Sequence, residues 1–415
     1  MLTAARWLML LYVVVLPIVR PLDTRILGIH VFATDLIFAA AFVSWLASLY
    51  QREVRFDRRY LLFVGAFFLA FLISAIFSTE PQRSFLKLSG VFYLIAVSIV
   101  VADLVRDLGF LQRLVSAWTV GAVLTILGTT IGLVAFYVGY DTMATNFFLF
   151  HSGSLPPGNY PRVKAFFENP NMTANYLNVA VMMVMGAAIA KWIPARIAIA
   201  LAALLFGAAL LTISPGLGGI VISIGLWIAF GFGLSTRNRA AIVTGVLGVA
   251  VLVLMATAIS PITRDRENTV KIPFTEIRIE PSVRFLVWKN TIERGLEFPV
   301  LGRGTGTDAA HVRYQVLSGQ KQLLRDAHQA WLNVFGQAGL VGLAAFVALC
   351  WYLFSICRFR VSDESERSTI LAACSCAFVG AFLFQNLFGS FEDARQLWVL
   401  IGMLVGLAGA KSEVD

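Results

Sequence analysis

Three side chains outside the long apolar runs are suited to proton and phosphate chemistry: His328, Arg284 and Arg162. His328 stands in Asp326-Ala327-His328-Gln329-Ala330-Trp331-Leu332-Asn333, where an apolar stretch begins. Asp326, with Gln329 three residues on, matches a capping box and predicts His328 in the first turn of a helix. The positive end of a helix dipole disfavours imidazolium. The spacing therefore predicts a neutral histidine able to accept a proton, as a general base must. The competing reading is an interfacial histidine bonded to a loop carbonyl. Arg284 and Trp288 lie one turn apart on a predicted helix and share a face. An arginine fork binds phosphate oxygens bidentately; the plainer reading is a solvated helix charge.

Arg162 and Lys164 precede Asn169-Pro170-Asn171. Asn171, Asn175 and Asn178 then recur at helical spacing, which puts three amides on one face. They predict either a bond to a neighbouring helix or the polar wall of a sugar-binding cavity under the two basic residues. Asp35 is expected about two turns inside a membrane span. An acid there is a functional candidate or half of a salt bridge. Glu392, Asp393 and Arg395 flank the last turn between spans, where they would pair with one another or hold an acceptor sugar. The stretch Gly302-Arg303-Gly304-Thr305-Gly306 offers backbone amides to a phosphate and reads more plainly as a turn. Asp265-Arg266-Glu267 is an isolated acid-x-acid set and does not make a metal site.

These residues must be positioned by elements of one kind. The 415-residue chain is 58% hydrophobic and 14% charged, against about 25% charged in ordinary soluble domains. Its apolar residues come in blocks, and runs of about 18 or more read as membrane spans. Twelve are expected, near 6–19, 29–49, 60–78, 85–105, 113–136, 172–190, 194–212, 215–233, 239–259, 328–356, 367–390 and 395–411. With a cytoplasmic N-terminus, the inner segments hold 15 Lys/Arg and the short outer loops 5. That bias places both termini inside. Two long loops, 137–171 and 260–327, then lie outside with the remaining 13 basic residues. The net charge of +9 needs no nucleic acid to explain it. Ser282 to Glu297 predicts an amphipathic helix in the larger loop, capped by Ser282 and ended by Pro299. Cys350, Cys357, Cys374 and Cys376 fall in or beside two spans, so no disulfide is implied, and no Cys/His spacing resembles a zinc site. The expectation is an all-α polytopic membrane protein with one membrane domain over 1–415 and short helices in the large outer loop.

The ordered set Arg284-x3-Trp288, Phe298-Pro299-Val300-Leu301-Gly302-x-Gly304-x-Gly306, His328-x4-Asn333 and Gly339-Leu340-Val341-Gly342 resembles the signature of the O-antigen ligase and polymerase superfamily. Phe166-Phe167-Glu168-Asn169-Pro170-Asn171 resembles that family's Asn-Pro-Asn segment. The resemblance covers about 160–345 by motif. Ser214-Pro215-Gly216 stands where many members carry Ser-Arg-Gly, which puts one ligand contact in doubt.

The resemblance implies a GT-C-like, metal-independent, inverting glycosyltransferase of the bacterial inner membrane, working at the periplasmic face without a cofactor. The donor would be a glycan on undecaprenyl diphosphate. The acceptor would be lipid A–core, for a ligase, or a second lipid-linked repeat, for a polymerase. His328 would take the acceptor proton, and Arg284 with Arg162 would stabilise the departing diphosphate. Lys164, Asn169, Asn171, Asn175, Trp288, Asn333, Asp35 and Arg395 are the expected substrate contacts. A multi-span transporter or lipid flippase is the rival of a different class.

Overall fold

A computed structural model of the chain describes all residues except 20, 27–28, 53, 55, 141–147, 151–161, 259–269, 272–277, 280–281, 316–320, 362–364 and 412–415. The Asp265-Arg266-Glu267 set lies outside the described residues. Helices dominate: α1 (Leu2–Val15), α2 (Ala33–Leu49), α3 (Arg58–Ile76), α4 (Pro81–Leu104), α5 (Leu108–Tyr137), α6 (Pro170–Ile189), α7 (Ala195–Leu210), α8 (Gly216–Gly231), α9 (Thr236–Ala258), α10 (Val283–Glu297), α11 (Ala330–Ser355), α12 (Glu366–Ala377) and α13 (Arg395–Lys411). α12 runs on as a π-helix over Phe378–Phe384 and a 3-10 turn over Gln385–Leu387.

Side-chain caps start several of these helices where the sequence offers them. Asp57 accepts from Arg59 N (2.8 Å) and Tyr60 N (3.1 Å), Asp107 from Phe110 N (2.7 Å), and Ser365 from Ser368 N (3.3 Å). Each satisfies an amide with no partner inside its helix.

Seven helices are long and apolar enough to cross a membrane: α3, α4, α5, α6, α9, α11 and α12 with its extension. Apolar helices also stand at the five other expected spans, but they have 14 to 17 residues, short of the roughly 20 that a crossing takes. The chain is therefore a mostly helical, multi-pass membrane protein, with seven candidate crossings by length and composition. Charged groups gather at the helix ends. Asp103, for example, takes Trp45 Nε1 (2.7 Å) and the Arg52 guanidinium at one end of α2 and α4.

The helices pack in close pairs. α4 lies along α13, where Gly402 and Gly406 let the backbones meet: a Cβ on either would fall 2.6 Å from Ser98 O or 2.4 Å from Ala102 O. Small residues four apart are the usual device for such contact in a bilayer. α1 packs on α2, α3 on α11, α8 on α9, and α6 on α7 and α12.

The connections differ from expectation. Antiparallel hairpins, rather than helices, pair β1 (Pro21–Ile26) with β2 (Ile29–Phe32), β3 (Leu149–Phe150) with β4 (Arg162–Val163), β5 (Val270–Lys271) with β6 (Arg278–Ile279), and β7 (Val312–Gln315) with β8 (Lys321–Leu324). The second span thus opens at Ala33, not near 29. That moves Asp35 from two turns deep to the first turn of α2, where it accepts from Phe32 N (3.0 Å). In the large loop, α10 is the one helix among the described residues, and two hairpins accompany it.

α11 is broken at Gly339, whose φ of 64° and ψ of −162° leave the helical region. The stretch Pro299–Gly306 fills the break. Leu340 N donates to Pro299 O (2.8 Å) and Val341 N to Val300 O (3.2 Å), while Gly304 N donates to Gln337 O (3.0 Å). Gly302 and Gly339 allow the approach, since a Cβ on Gly302 would stand 2.2 Å from Gln337 O and one on Gly339 2.4 Å from Val300 O. The same stretch ties to the end of α3: Ser74 Oγ donates to Gln337 O (2.9 Å), Thr305 Oγ1 to Phe71 O (2.9 Å) and Thr79 N to Arg303 O (3.0 Å).

Candidate active site

α10 begins at Ser282, whose hydroxyl accepts from Arg284 N (3.4 Å). Val287, Thr291 and Gly295 bury one face against α11. Gly295 lets Phe335 approach, because a Cβ there would be 2.4 Å from its ring. This packing fixes Arg284 and Trp288 one turn apart. The indole of Trp288 stacks edge-on against Phe285 (5.3 Å between centroids), and its buried Nε1 has no partner among the described residues.

Arg284 faces Arg162. Burial pushes the Arg162 guanidinium down to about 10, and the charge of Arg284 adds to that shift. Burial also lowers Arg284. Arg162 is held by a bond from Nε to Thr212 O (3.0 Å), at the end of α7. The two guanidinium groups face one another, and burial disfavours the charge on each.

His328 lies beside Arg284 but not in a helix, contrary to the capping-box expectation. Gln329 is the N-cap of α11, accepting from Leu332 N (2.5 Å), and Asp326 accepts from His328 N (2.6 Å) two residues on, rather than from a helical amide. The histidine therefore precedes the helix, with φ of +50°. Histidine tolerates this left-handed region better than most side chains. Ala165, Ile213 and His328, three of the four non-glycine residues with positive φ, all lie in the connections that hold Arg162 and His328. Such strain gathers at functional sites.

The imidazole is lowered from its usual range mainly by burial; Asp326 raises it and Arg284 lowers it further. The expected neutral histidine is thus obtained from burial rather than from a helix dipole. Nδ1 stands 3.5 Å from Asp326 Oδ1, and the ring is about half exposed. A neutral imidazole is oriented there by a carboxylate, as a general base requires.

Asp326 also joins a polar cluster that the sequence reading did not assemble. Ser390 Oγ donates to Asp326 Oδ1 (2.6 Å). Asn333 Nδ2 donates to Glu392 Oε1 (2.6 Å), and Lys87 pairs with Asp393. Glu392 is 8% exposed and is pushed up to about 8, first by burial and then by Asp393 and Asp326, so it is neutral at pH 7. Glu392 Oε2 and Asn333 Oδ1 have no partner among the described residues. Lys87, Gln337, Glu392 and Asp393 line a small cavity here. The acids on either side of the last turn signalled this cluster, but their partners come from α4, α11 and the approach to α11.

Other expected contacts are structural. Asn169 caps α6, accepting from Met172 N (2.9 Å). Asn171 accepts from Ser214 Oγ (2.7 Å), so Ser214-Pro215-Gly216 is bound into the helix junction. Asn175 is fully buried and donates to Ala381 O and Gln385 Oε1 (both 2.7 Å) while accepting from Gln396 (3.1 Å). It ties α6 to the π-helix and α13 and does not line a cavity. Asn178 is buried as well. The amide of Asn175 thus bonds neighbouring helices, whereas both polar atoms of Asn178 have no partner among the described residues. Asp35 pairs with Arg395 (2.7 Å), whose guanidinium lies over Phe32 (4.6 Å) and Tyr93 (5.7 Å). That pair joins α2 to α13; Arg395 does not pair with Glu392 or Asp393 as one reading expected. Lys164 anchors the β4 connection through its backbone, donating to Phe148 O (2.9 Å) and accepting from Thr173 Oγ1 (2.7 Å). The amides of Gly302, Arg303, Gly304 and Gly306 all bond protein acceptors, so the glycine-rich stretch is a turn and not a phosphate cradle.

Residues 200–347 match the family model described as O-antigen ligase. The matched range holds Arg284, Trp288, His328, Asn333 and the Gly339 break; Arg162, Lys87 and Glu392 fall outside it. No curated protein matches the chain.

Proposed function

We propose that this chain, whose residues 200–347 match the O-antigen ligase family model, transfers a glycan from undecaprenyl diphosphate to an acceptor sugar hydroxyl. The acceptor in this reading is lipid A–core, the site faces the periplasm, and the protein sits in the bacterial inner membrane with twelve crossings. The observation that carries the reading is the adjacency of two buried arginines and an uncharged histidine, with Arg284 acting on both Arg162 and His328.

In this mechanism Arg284 and Arg162 receive the diphosphate. Their two positive charges act on the same group, so they bind it most strongly as it gains charge on leaving. His328 takes the proton of the acceptor hydroxyl. The freed oxygen attacks the anomeric carbon from the side opposite the phosphate, the carbon–oxygen bond to the diphosphate breaks, and the single displacement inverts the configuration. The proton rests on the imidazole beside Asp326, which stabilises the imidazolium. The donor's lipid end reaches the site from the bilayer, which suits basic groups at the end of a helical bundle.

Purified protein given the lipid-linked glycan and lipid A–core should form the joined product. His328→Ala should slow transfer roughly 10²–10⁴-fold, the usual worth of a general base. Arg284→Ala should cost about 10²–10³-fold, as loss of one transition-state donor does. A ladder formed without lipid A–core would make the enzyme a polymerase. Transfer that survives both substitutions would remove these residues from the mechanism.

A further inference from the structure

α10 presents three faces to its surroundings. Val287, Thr291 and Gly295 are buried against α11. Asn290 and Arg294 turn to the loop that follows: Asn290 Oδ1 accepts from His311 N (2.8 Å), and Arg294 Nη2 donates to Asp308 O (3.4 Å). The third face has no cover among the described residues. Phe285, Ile292 and Leu296 share it by their helical spacing, and all three are exposed, Leu296 at 62%. At its margin Lys289 pairs with Glu293 (3.8 Å), and both are exposed. The apolar arc of α10 is thus wider than the part that α11 covers.

The uncovered face does not end with the helix. Phe298 and Val300 follow it, both exposed. Pro299 O accepts from Leu340 N and Val300 O from Val341 N, so the face meets α11 just past its break at Gly339. Leu340, Val341, Val347, Trp351 and Phe354 carry exposed apolar surface on along α11, a helix long and apolar enough to cross a membrane. The exposed apolar side of a crossing helix meets acyl chains.

α3 sets the level. It runs 19 residues from Arg58 to Ile76, roughly 28 Å at 1.5 Å per residue, which matches a hydrocarbon core of about 30 Å. Asp57, Arg58 and Arg59 mark one boundary of that core, so Ile76 and Phe77, both exposed, reach the other. Just beyond them Thr79 N donates to Arg303 O (3.0 Å). The stretch that leaves α10 is therefore held at the edge of the core.

We propose that α10 is a membrane-surface helix. Phe285, Ile292, Leu296, Phe298 and Val300 sit where lipid headgroups meet acyl chains, and Lys289 and Glu293 stay on the water side. An amphipathic helix lying in this plane buries its apolar face about 5–10 Å into that boundary. The occupant of the face is the bilayer rather than a second protein, because the face is continuous with the lipid-facing side of α11. The helix then holds Arg284, the residue before Phe285, at headgroup depth. The proposal uses only the packing of α10 and the membrane crossings, and stands apart from the transfer reading.

Single cysteines on α10 test it, since the four native cysteines are buried. The protein is placed in lipid nanodiscs with a nitroxide on Ile292→Cys, Leu296→Cys, Lys289→Cys or Glu293→Cys. Spin relaxation is then compared for oxygen, which concentrates in lipid, and a nickel chelate, which stays in water. Labels on Ile292→Cys and Leu296→Cys should favour oxygen, and labels on Lys289→Cys and Glu293→Cys should favour nickel. Phe285→Cys, on the same face, replaces an apolar site whose label lowers the melting temperature. Nickel preference at all the sites would put the whole helix in water and overturn the proposal. Oxygen preference at all of them would sink the helix below the surface and overturn it too. If neither reagent reaches Ile292→Cys and Leu296→Cys, protein covers the face, as a second copy of the chain would, and the bilayer is excluded as its occupant.

Discussion

His328 and Glu392 are both uncharged at neutral pH, through opposite movements: burial lowers the imidazole and raises the carboxyl. Asp326 lies between these effects, raising both. Protonated His328 cannot accept a proton, so the kcat/KM profile should rise with pH through the lowered histidine value and then level. Asp326→Asn removes the charge that holds this value up. Its acidic limb should therefore move to lower pH, with a reduced plateau from the weaker, less oriented base; an unmoved limb would show that Asp326 acts only on the loop. Glu392 binds its proton more tightly folded than unfolded. Its neutral form favours the fold at low pH, and that contribution is lost as pH rises from the ordinary carboxyl range through about 8. Melting in detergent at pH about 5.5 and 8.5 should therefore show a larger loss for wild type than for Glu392→Gln.

At this scale the sequence discloses what is local. Arg284 and Trp288 share a face because they are four residues apart on a capped helix. His328 was legible as a candidate but not in its conformation, since Asp326 can accept the amide two residues on, in a turn, or three residues on, in a helix cap. The amide row of α6 had two physical solutions; Asn175 bonds the Ala381 carbonyl of the π-helix, and Asn178 is buried without a partner among the described residues. The Glu392 cluster needs side chains from positions as distant as Lys87 and Asn333, and no spacing reveals it.

Among elements, the break in α11 decides how the large loop meets the membrane domain. Gly302 and Gly339 have positive φ and no room for a Cβ. Gly339→Ala should cost at least about 1–2 kcal/mol from the left-handed backbone alone, before any clash with Val300. It should lower the melting temperature and weaken transfer through displacement of the α11 entrance, with the pH profile of any residual activity unchanged. A wild-type melting curve would show that the loop can withdraw from the break. Hydropathy located every helix of the membrane domain, because a block of apolar residues has few other uses. It did not locate the hairpins: strands of two to six residues are pinned by pairing across a turn, and their pattern is too short to read. The glycines of Gly302–Gly306 were visible, but only the structure reveals their partner.

For the whole molecule, α9, one of the seven helices long and apolar enough to cross a membrane, leads from Asn238 toward Lys289. Both are exposed, and the four native cysteines are buried. In sealed cells a membrane-impermeant maleimide should label Lys289→Cys and should reach Asn238→Cys only after the inner membrane is opened. The reverse pattern would invert the orientation, and labelling of both would remove α9 as a span. The expected orientation rests on the charge bias, which assigns the segments richer in Lys and Arg to the inside. Whether α1, α2, α7, α8 and α13 all cross could not be read from length, since each is shorter than the bilayer core.

The bonds that join the end of α3 to Arg303, Thr305 and Gln337 also set a timetable. Phe71 and Thr305 are 234 positions apart, so a ribosome adding about 5–20 residues per second needs roughly 10–45 s to make the second partner after the first. Throughout that interval the end of α3 is without its cover. That end of the helical bundle is thus completed late in synthesis. A chain stalled before residue 303 displays an unfinished edge by which the cell's membrane quality control can recognise it.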